Sequence, residues 1–416
     1  MVNIMIKDFL TLNRSLQGRL IANFFRRAST DSLVPFMTIY LVDKLGSFLA
    51  GIIIVMILSI GMMANTLGGV ATTRYSNRKL LVRGEALHTI VIMGMVLAVS
   101  ISTTLLVVLY LLKSIIFSYL TPAGEKVILD NTSKENRKFA FQLNMWISGA
   151  AIPIGLGIGA VLYGINIEYL LVFTAMASLV SAVLHFFCVT SSSNHFPQGM
   201  PEKKISFSSY KLVFQNKPAC LIVVSAVLLF TIEFSFAQYF PVYLNSKSNL
   251  ALAGKSITGA DLFAIIKSAS SITALFFSFF FISLIKKIND RKTLMLAVVS
   301  FLVCFLAVFV LADNPLIIIF LVCFSSIFST VYHPLRQVEF TKHIESAMSG
   351  LYLSIYSLTA RAGNIMAGFI LMMADYFSHM AVIATLAVFG ALSIIMLAFV
   401  PVVEDGKEKT GEIREL

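Results

Sequence analysis

The chain has 416 residues, 58% hydrophobic and only 13% charged, with a mean hydropathy of +0.87. A soluble protein carries about 25% charged residues, so this much apolar surface has no aqueous core in which to hide, and a soluble domain is excluded. The net charge of +11 does not point to nucleic acid, because the bases lie in short loops between apolar blocks, the pattern of loops held on the cytoplasmic side of a membrane.

The apolar blocks are about 20 residues long, enough to cross a bilayer core. They predict twelve helical spans at 16–42, 48–71, 84–101, 104–128, 141–163, 169–190, 219–243, 259–285, 293–312, 316–334, 349–373 and 380–401. The N-terminal stretch has no short apolar segment followed by a cleavage site, so no signal peptide is expected. Alternate loops carry the bases, among them Arg74, Arg78, Lys79 and Arg83, then Lys134, Arg137 and Lys138, then Lys203, Lys204 and Lys211, and later Arg336 and Lys342. The other loops hold only Lys44, Lys247 and Lys255. This bias predicts that both termini are cytoplasmic.

A charge at the bilayer centre costs at least about 2.5–3.5 kcal/mol, so each charged residue in a span is expected to be buried, paired or functional. Span 1 places Asn23, Arg27 and Asp31 on one face at i, i+4 and i+8, beside Arg26. Arg27 and Asp31 can pair there, structurally or as part of a substrate or proton site. Span 4 carries Lys113 and, toward its cytoplasmic end, Glu125 and Lys126. In span 5, Gly155, Gly157 and Gly159 follow Pro153 inside an apolar helix, which suits close helix packing and not a nucleotide loop.

A polar stretch at 191–217, with Pro197, Gly199 and Pro201, separates six spans from six. The expected domains are an N-terminal bundle (1–190), a cytoplasmic linker (191–217), a C-terminal bundle (218–401) and a cytoplasmic tail (402–416). Span 7 carries Glu233, Gln238 and several aromatic residues; span 8 carries Lys267; span 11 has a polar stripe of Ser354, Ser357, Arg361 and Asn364. Glu233 is the first candidate for protonation, followed by Asp31, Glu125 and Lys113. Cys188, Cys220, Cys304 and Cys323 have no metal-ligand spacing and read as small core residues. No metal or cofactor is expected.

Gly68-Gly69-Val-Ala-Thr-Thr73-Arg74-Tyr-Ser-Asn-Arg78-Lys79 resembles the loop 2–3 signature of the major facilitator superfamily, with Thr73 in place of an Asp and Ser76 in place of a Gly. The run Asp130-Asn-Thr-Ser-Lys-Glu135-Asn136-Arg137-Lys138, then Phe141 to Trp146, then Gly155 and Gly159, resembles the LmrP-like multidrug/proton antiporters of that superfamily. Two carboxylates of that group are replaced here, by Asn144 and by Ser329. The resemblance implies an all-α fold of twelve transmembrane helices in two six-helix bundles. It implies that spans 1, 4, 7 and 10 line a central cavity, that spans 2, 5, 8 and 11 flank it, and that the others are scaffold. It also implies a cytoplasmic latch of Arg74, Arg78 and Asp130; the plainer reading of those bases is that they only set topology. Lys113 stands near the superfamily's span 4 arginine, and Arg78 is followed by the expected base.

The cavity candidates are therefore Asn23, Arg26, Arg27, Asp31, Lys113, Glu233, Gln238, Lys267, Ser357, Arg361 and Asn364. Five deep bases against two deep acids point to a substrate with an anionic or zwitterionic part. The resemblance implies a monomeric secondary transporter in a bacterial cell membrane, exporting drug-like or amphiphilic small molecules against protons by alternating access. A dedicated exporter or importer of one metabolite or natural product is the alternative. No HExxH, GxSxG, paired-Asp or ATP-binding motif is present, so neither an intramembrane enzyme nor direct ATP drive is expected.

Overall fold

Length decides the first element. Arg14–Arg74 is helical throughout except at Gly46, whose φ of 80° lies in the left-handed region that glycine enters without strain. A straight helix of 61 residues would be about 90 Å long, roughly three times the hydrocarbon thickness. The reversal at Gly46 makes it two antiparallel spans, 14–45 and 47–74. Asn13 opens the first one: its side-chain oxygen accepts the Leu16 N–H at 2.8 Å, and its amide nitrogen reaches Asn131 at the end of span 4 at 3.0 Å.

Spans 3 to 6 are Asn77–Ile101, Thr103–Asp130, Arg137–Ile165 and Ile167–Cys188. Span 7 is Lys217–Gln238, continued by Phe240–Asn245; spans 8 to 12 are Gly259–Ile285, Arg291–Val310, Pro315–Lys342, Ser349–Met373 and His379–Ala398. A two-residue antiparallel ladder, Ala251–Leu252 with Lys255–Ser256, is the only strand pairing among the described residues. The computed structural model describes Phe9 and residues 11–132, 137–190, 215–247, 251–252, 255–285, 291–311, 314–343 and 349–401. Most of the expected linker and all of the tail at 402–416 lie outside these residues.

Two boundaries differ most from the hydropathy reading. Span 3 starts at Asn77 instead of 84, because the basic turn Asn77–Arg83 is helical. Span 10 continues through Pro334 to Lys342 instead of stopping at 334. Arg336, expected in a loop, is thus inside a helix and fully buried.

In the N-terminal half, the span 1–2 hairpin packs on spans 4, 5 and 6, and span 3 packs on spans 4 and 6. In the C-terminal half, span 7 packs on 11 and 12, span 9 on 10 and 12, and span 8 on 10. The halves meet where span 5 lies against span 8 and the span 1–2 hairpin against span 11. Gly155 and Gly159 allow span 5 to ride on span 1: a Cβ would strike the Ala28 backbone at the first, and the Ser32 carbonyl and Phe36 ring at the second. Gly157, between them, faces open space.

Candidate functional site

Arg27 is the fixed point for reading the centre. Its Nε lies 2.7 Å from Asp31 Oδ2, the i, i+4 pair that the spacing allows, and its side chain remains 46% exposed. A half-exposed guanidinium deep in a membrane helix must face water and not lipid, so span 1 borders a hydrated cleft. Across that cleft, Lys267 of span 8 lies within electrostatic reach of both Asp31 and Glu233, with its ammonium 5.9 Å from the Phe236 ring centre. Asp31, Lys267 and Glu233 thus alternate in sign from one half to the other, while Lys267 makes no ion pair within 4 Å among the described residues.

Glu233 Oε2 lies 3.2 Å from His333 Nε2 and accepts the Tyr332 hydroxyl at 3.4 Å. On the other side of the imidazole, Arg336 Nη2 lies 3.4 Å from His333 Nδ1. A guanidinium can only donate. In this contact Nδ1 is thus the acceptor, which leaves Nε2 to donate to the Glu233 carboxylate. Arg336 Nε donates to Tyr356 Oη on span 11 at 3.1 Å, and its guanidinium sits 4.8 Å over the Phe230 ring. The Glu233 and His333 side chains are each about one-third exposed, whereas Arg336 is enclosed. The network leads from mid-span toward the basic end of span 10.

Reasoning from sequence missed His333, Tyr332, Arg336 and Tyr356 as members of this site. The available signal was His333 and Arg336 at i, i+3 flanking Pro334; ending span 10 at that proline left His333 in the span but put Arg336 in a loop.

Two cavity candidates turn elsewhere. Arg26 points into the N-terminal bundle, where its Nε lies 3.8 Å from Glu85 of span 3 and its Nη2 donates to the Phe117 carbonyl at 2.5 Å and to Thr121 at 3.0 Å. Lys113 is also buried there, near the Tyr110 and Phe117 rings. Glu85 itself is 1% exposed, accepts the Ser178 hydroxyl at 3.1 Å and lies 3.8 Å from His88. A scaffold span thus supplies a third deep acid, and two of the five deep bases leave the cleft.

Other candidates pair locally. Asn23 donates to Asn144 and Ser148 of span 5 at 2.8 and 2.9 Å. Gln238 donates to the Asn364 side chain at 2.5 Å, joining spans 7 and 11. Arg361 crosses between the halves to the Asn65 amide oxygen at 2.9 Å. Ser357 and Glu125 are exposed, and the side chain of Ser354 lies outside the described residues. The latch residues are not brought together among the described residues: Arg78 donates to the Phe186 carbonyl at 2.7 Å and Asp130 accepts from Asn77 at 3.1 Å. Asn77 and Arg78 are consecutive, so on a helix they face directions about 100° apart, and the smaller one meets Asp130.

At the end of the molecule opposite the bases, the halves are joined. Asp375 accepts the Ser47 N–H at 3.1 Å and the Phe48 N–H at 2.5 Å. Phe48 packs edge-on against Tyr376, and Gly51 brings span 2 against Gly368 and Met372. At the basic end, the bonds of Arg78 and Asn77 stay within the N-terminal half, and that of Asn216 to the His343 carbonyl within the C-terminal half.

Twelve long helices in two packed halves, with charged side chains facing one another between them, have the architecture of a secondary transporter. The major facilitator superfamily model matches residues 19–266 and 255–415, and the chain belongs to that superfamily. A Na(+), Li(+), K(+)/H(+) antiporter of Planococcus maritimus is 25% identical over 286 residues, covering 64% of this chain and 67% of that protein. A POT family transporter solved with a thioalcohol-conjugated peptide superposes with a TM-score of 0.73 at 14% identity, covering 93% of this chain and 96% of the other. A variant of the nucleoside transporter NupG gives 0.71 at 13% identity, covering 93% and 98%. At such identities these structures speak for the fold alone.

Proposed function

We propose that this secondary transporter is a proton-coupled antiporter that exports amphiphilic small molecules bearing both a cationic and an anionic group, from a cell membrane in which both termini are cytoplasmic. The observation that carries the reading is the Glu233–His333 contact between spans 7 and 10, partly open to the cleft and backed by Arg336. Glu233 takes the proton, and Asp31 is the second carboxylate.

Competition gives the sign of coupling. The cationic part of a substrate needs an ionised carboxylate, so proton uptake by Glu233 removes its partner and expels it. The anionic part suits Lys267 and Arg361, which keep the cleft net basic. A purely anionic substrate would instead gain when Glu233 is protonated, because Lys267 is then released from its acid, and it would move together with the proton. Exchange against protons is also what the name of the Planococcus relative describes. That relative favours a second reading, exchange of monovalent metal cations for protons. A metal cation needs several oxygen ligands with excess negative charge, and both cleft carboxylates here are already faced by Arg27, Lys267 or His333.

Proteoliposomes holding a trapped pH dye and an imposed pH gradient test the proposal. Matched zwitterionic, cationic and anionic amphiphiles, and Na+, Li+ and K+, are added to wild type, Glu233→Gln and Asp31→Asn. Zwitterions are expected to drive proton movement in the wild type. Glu233→Gln should abolish gradient-driven uphill transport and, because the neutral amide mimics the protonated acid, weaken zwitterion binding so that substrate–substrate exchange needs higher substrate concentrations. Unchanged gradient-driven transport in both variants would overturn the coupling assignment, and proton flux elicited by metal cations alone would establish the second reading.

A further inference from the structure

A groove of about 380 Å3 opens on the outer flank of the N-terminal bundle, away from the cleft, between spans 3 and 4 at the basic end. Its floor is the contact of the two helices at Gly84, where a side chain would collide with Leu120. Lys79, Arg83 and Leu87 lie along one wall at i, i+4 and i+8, on one face of span 3 and all exposed. Ile115 and Tyr119 of span 4 form the facing wall, and Tyr75 closes the basic end. The groove is therefore cationic where span 3 begins and apolar about 12 Å further into the membrane, at Leu87. That depth fits within one leaflet, about half of a 30 Å core.

The charges here are not absorbed by the fold. Arg78, the neighbouring base, is held by the Phe186 carbonyl and stacked over its ring. Among the described residues Lys79 and Arg83 form no ion pair, and no acid lines the groove. Two unneutralised bases above an apolar trough complement a molecule with an anionic head and a hydrocarbon tail.

We infer that this groove is a binding site for an anionic glycerophospholipid, with the phosphate between Lys79 and Arg83 and one acyl chain along Leu87 and Ile115. Tyr75 and Tyr119 line the same groove, and tyrosine is a residue type enriched where helices meet lipid headgroups. Each base near an anionic lipid surface favours binding about fivefold, so a preference of roughly 25-fold over a zwitterionic lipid with the same chains is expected.

Native mass spectrometry of the full chain in neutral detergent, titrated with dioleoyl phosphatidylglycerol or dioleoyl phosphatidylcholine, tests this. Wild type should retain one phosphatidylglycerol with the stated preference, and Lys79→Gln/Arg83→Gln should lose the preference while still binding both lipids weakly. Leu87→Trp, which fills the apolar arm at a lipid-facing position, should weaken both lipids. Lys44→Gln/Lys247→Gln, at the opposite end, should behave as wild type. Equal retention of the two lipids by wild type, or a preference that survives Lys79→Gln/Arg83→Gln, would overturn the inference. So would displacement of the lipid by glycerophosphoglycerol or inorganic phosphate as readily as by whole lipid, since that would make the groove a free-anion site. The readout is retained mass and does not depend on transport.

Discussion

Arg26 and Arg27 are consecutive, yet they do different work. On a helix they point about 100° apart, so one enters the N-terminal bundle and the other the cleft. Arg27 stays solvated and needs only Asp31. Arg26 is out of water and depends on Glu85, with the Phe117 carbonyl and Thr121 taking its second nitrogen. Removing one member of a buried pair leaves an uncompensated charge, which costs about 3–5 kcal/mol, whereas replacing both by apolar groups of similar size is often close to neutral. Glu85→Leu is therefore expected to lower the thermal unfolding midpoint sharply in detergent, and Arg26→Met/Glu85→Leu to recover most of the loss. A double variant no more stable than Glu85→Leu alone would show that Arg26 is needed for its bonds to span 4 and not for its charge.

At the scale of elements, helix contact depends on where side chains are missing. Gly155 and Gly159 share the face that touches span 1, and Gly157 does not. Gly155→Ala should cost about 1–3 kcal/mol, since the added methyl would press on the Ala28 backbone in a packed interface. Gly157→Ala should be neutral or stabilise by about 0.5–1 kcal/mol, because alanine is the better helix former. Comparing unfolding midpoints of the two variants checks both. The glycine spacing made this packing legible in advance, as hydropathy made the order of the twelve spans. The helix ends were less legible, because polar turns such as Asn77–Arg83 and Arg336–Lys342 continue a helix beyond its apolar block. That is why Arg336 was counted as a loop base and its contact with His333 was missed. The partner of Arg26 was missed for another reason: Glu85 lies on a span expected to be scaffold, and no spacing rule links residues on separate helices.

For the whole molecule, the question is what holds one end shut. Among the described residues the two halves share few polar contacts, one of them the Ser268 hydroxyl to the Pro153 carbonyl at 3.4 Å. Arg361 meets Asn65 near mid-span, and Asp375 meets the start of span 2 at the end opposite the bases. The Asp375 carboxylate occupies the N-terminal end of that helix, where Gly46 has turned the backbone so that the Ser47 and Phe48 N–H groups are unspent. An anion there interacts favourably with the helix dipole as well as with the two donors. The latch expected at the basic end, Arg74 and Arg78 with Asp130, is of a different kind, because Thr73 stands where the superfamily's loop 2–3 carries an acid. The carboxylate is instead at the far end, contributed by the C-terminal half to the N-terminal half. In an alternating-access cycle of the kind proposed, this contact must break each time the far end opens. Asp375→Asn keeps the size and one acceptor but removes the charge. Since Asp375 is exposed and screened, the loss should be about 1 kcal/mol, or about a fivefold shift toward the state open at the far end. Spin-label distances between the far ends of spans 2 and 11 should then gain a longer component in Asp375→Asn, while Asp261→Asn, an acid in the first turn of span 8, should leave the distribution unchanged. An unaltered distribution in Asp375→Asn would mean that the Gly51–Gly368 packing, and not the capping charge, keeps that end closed.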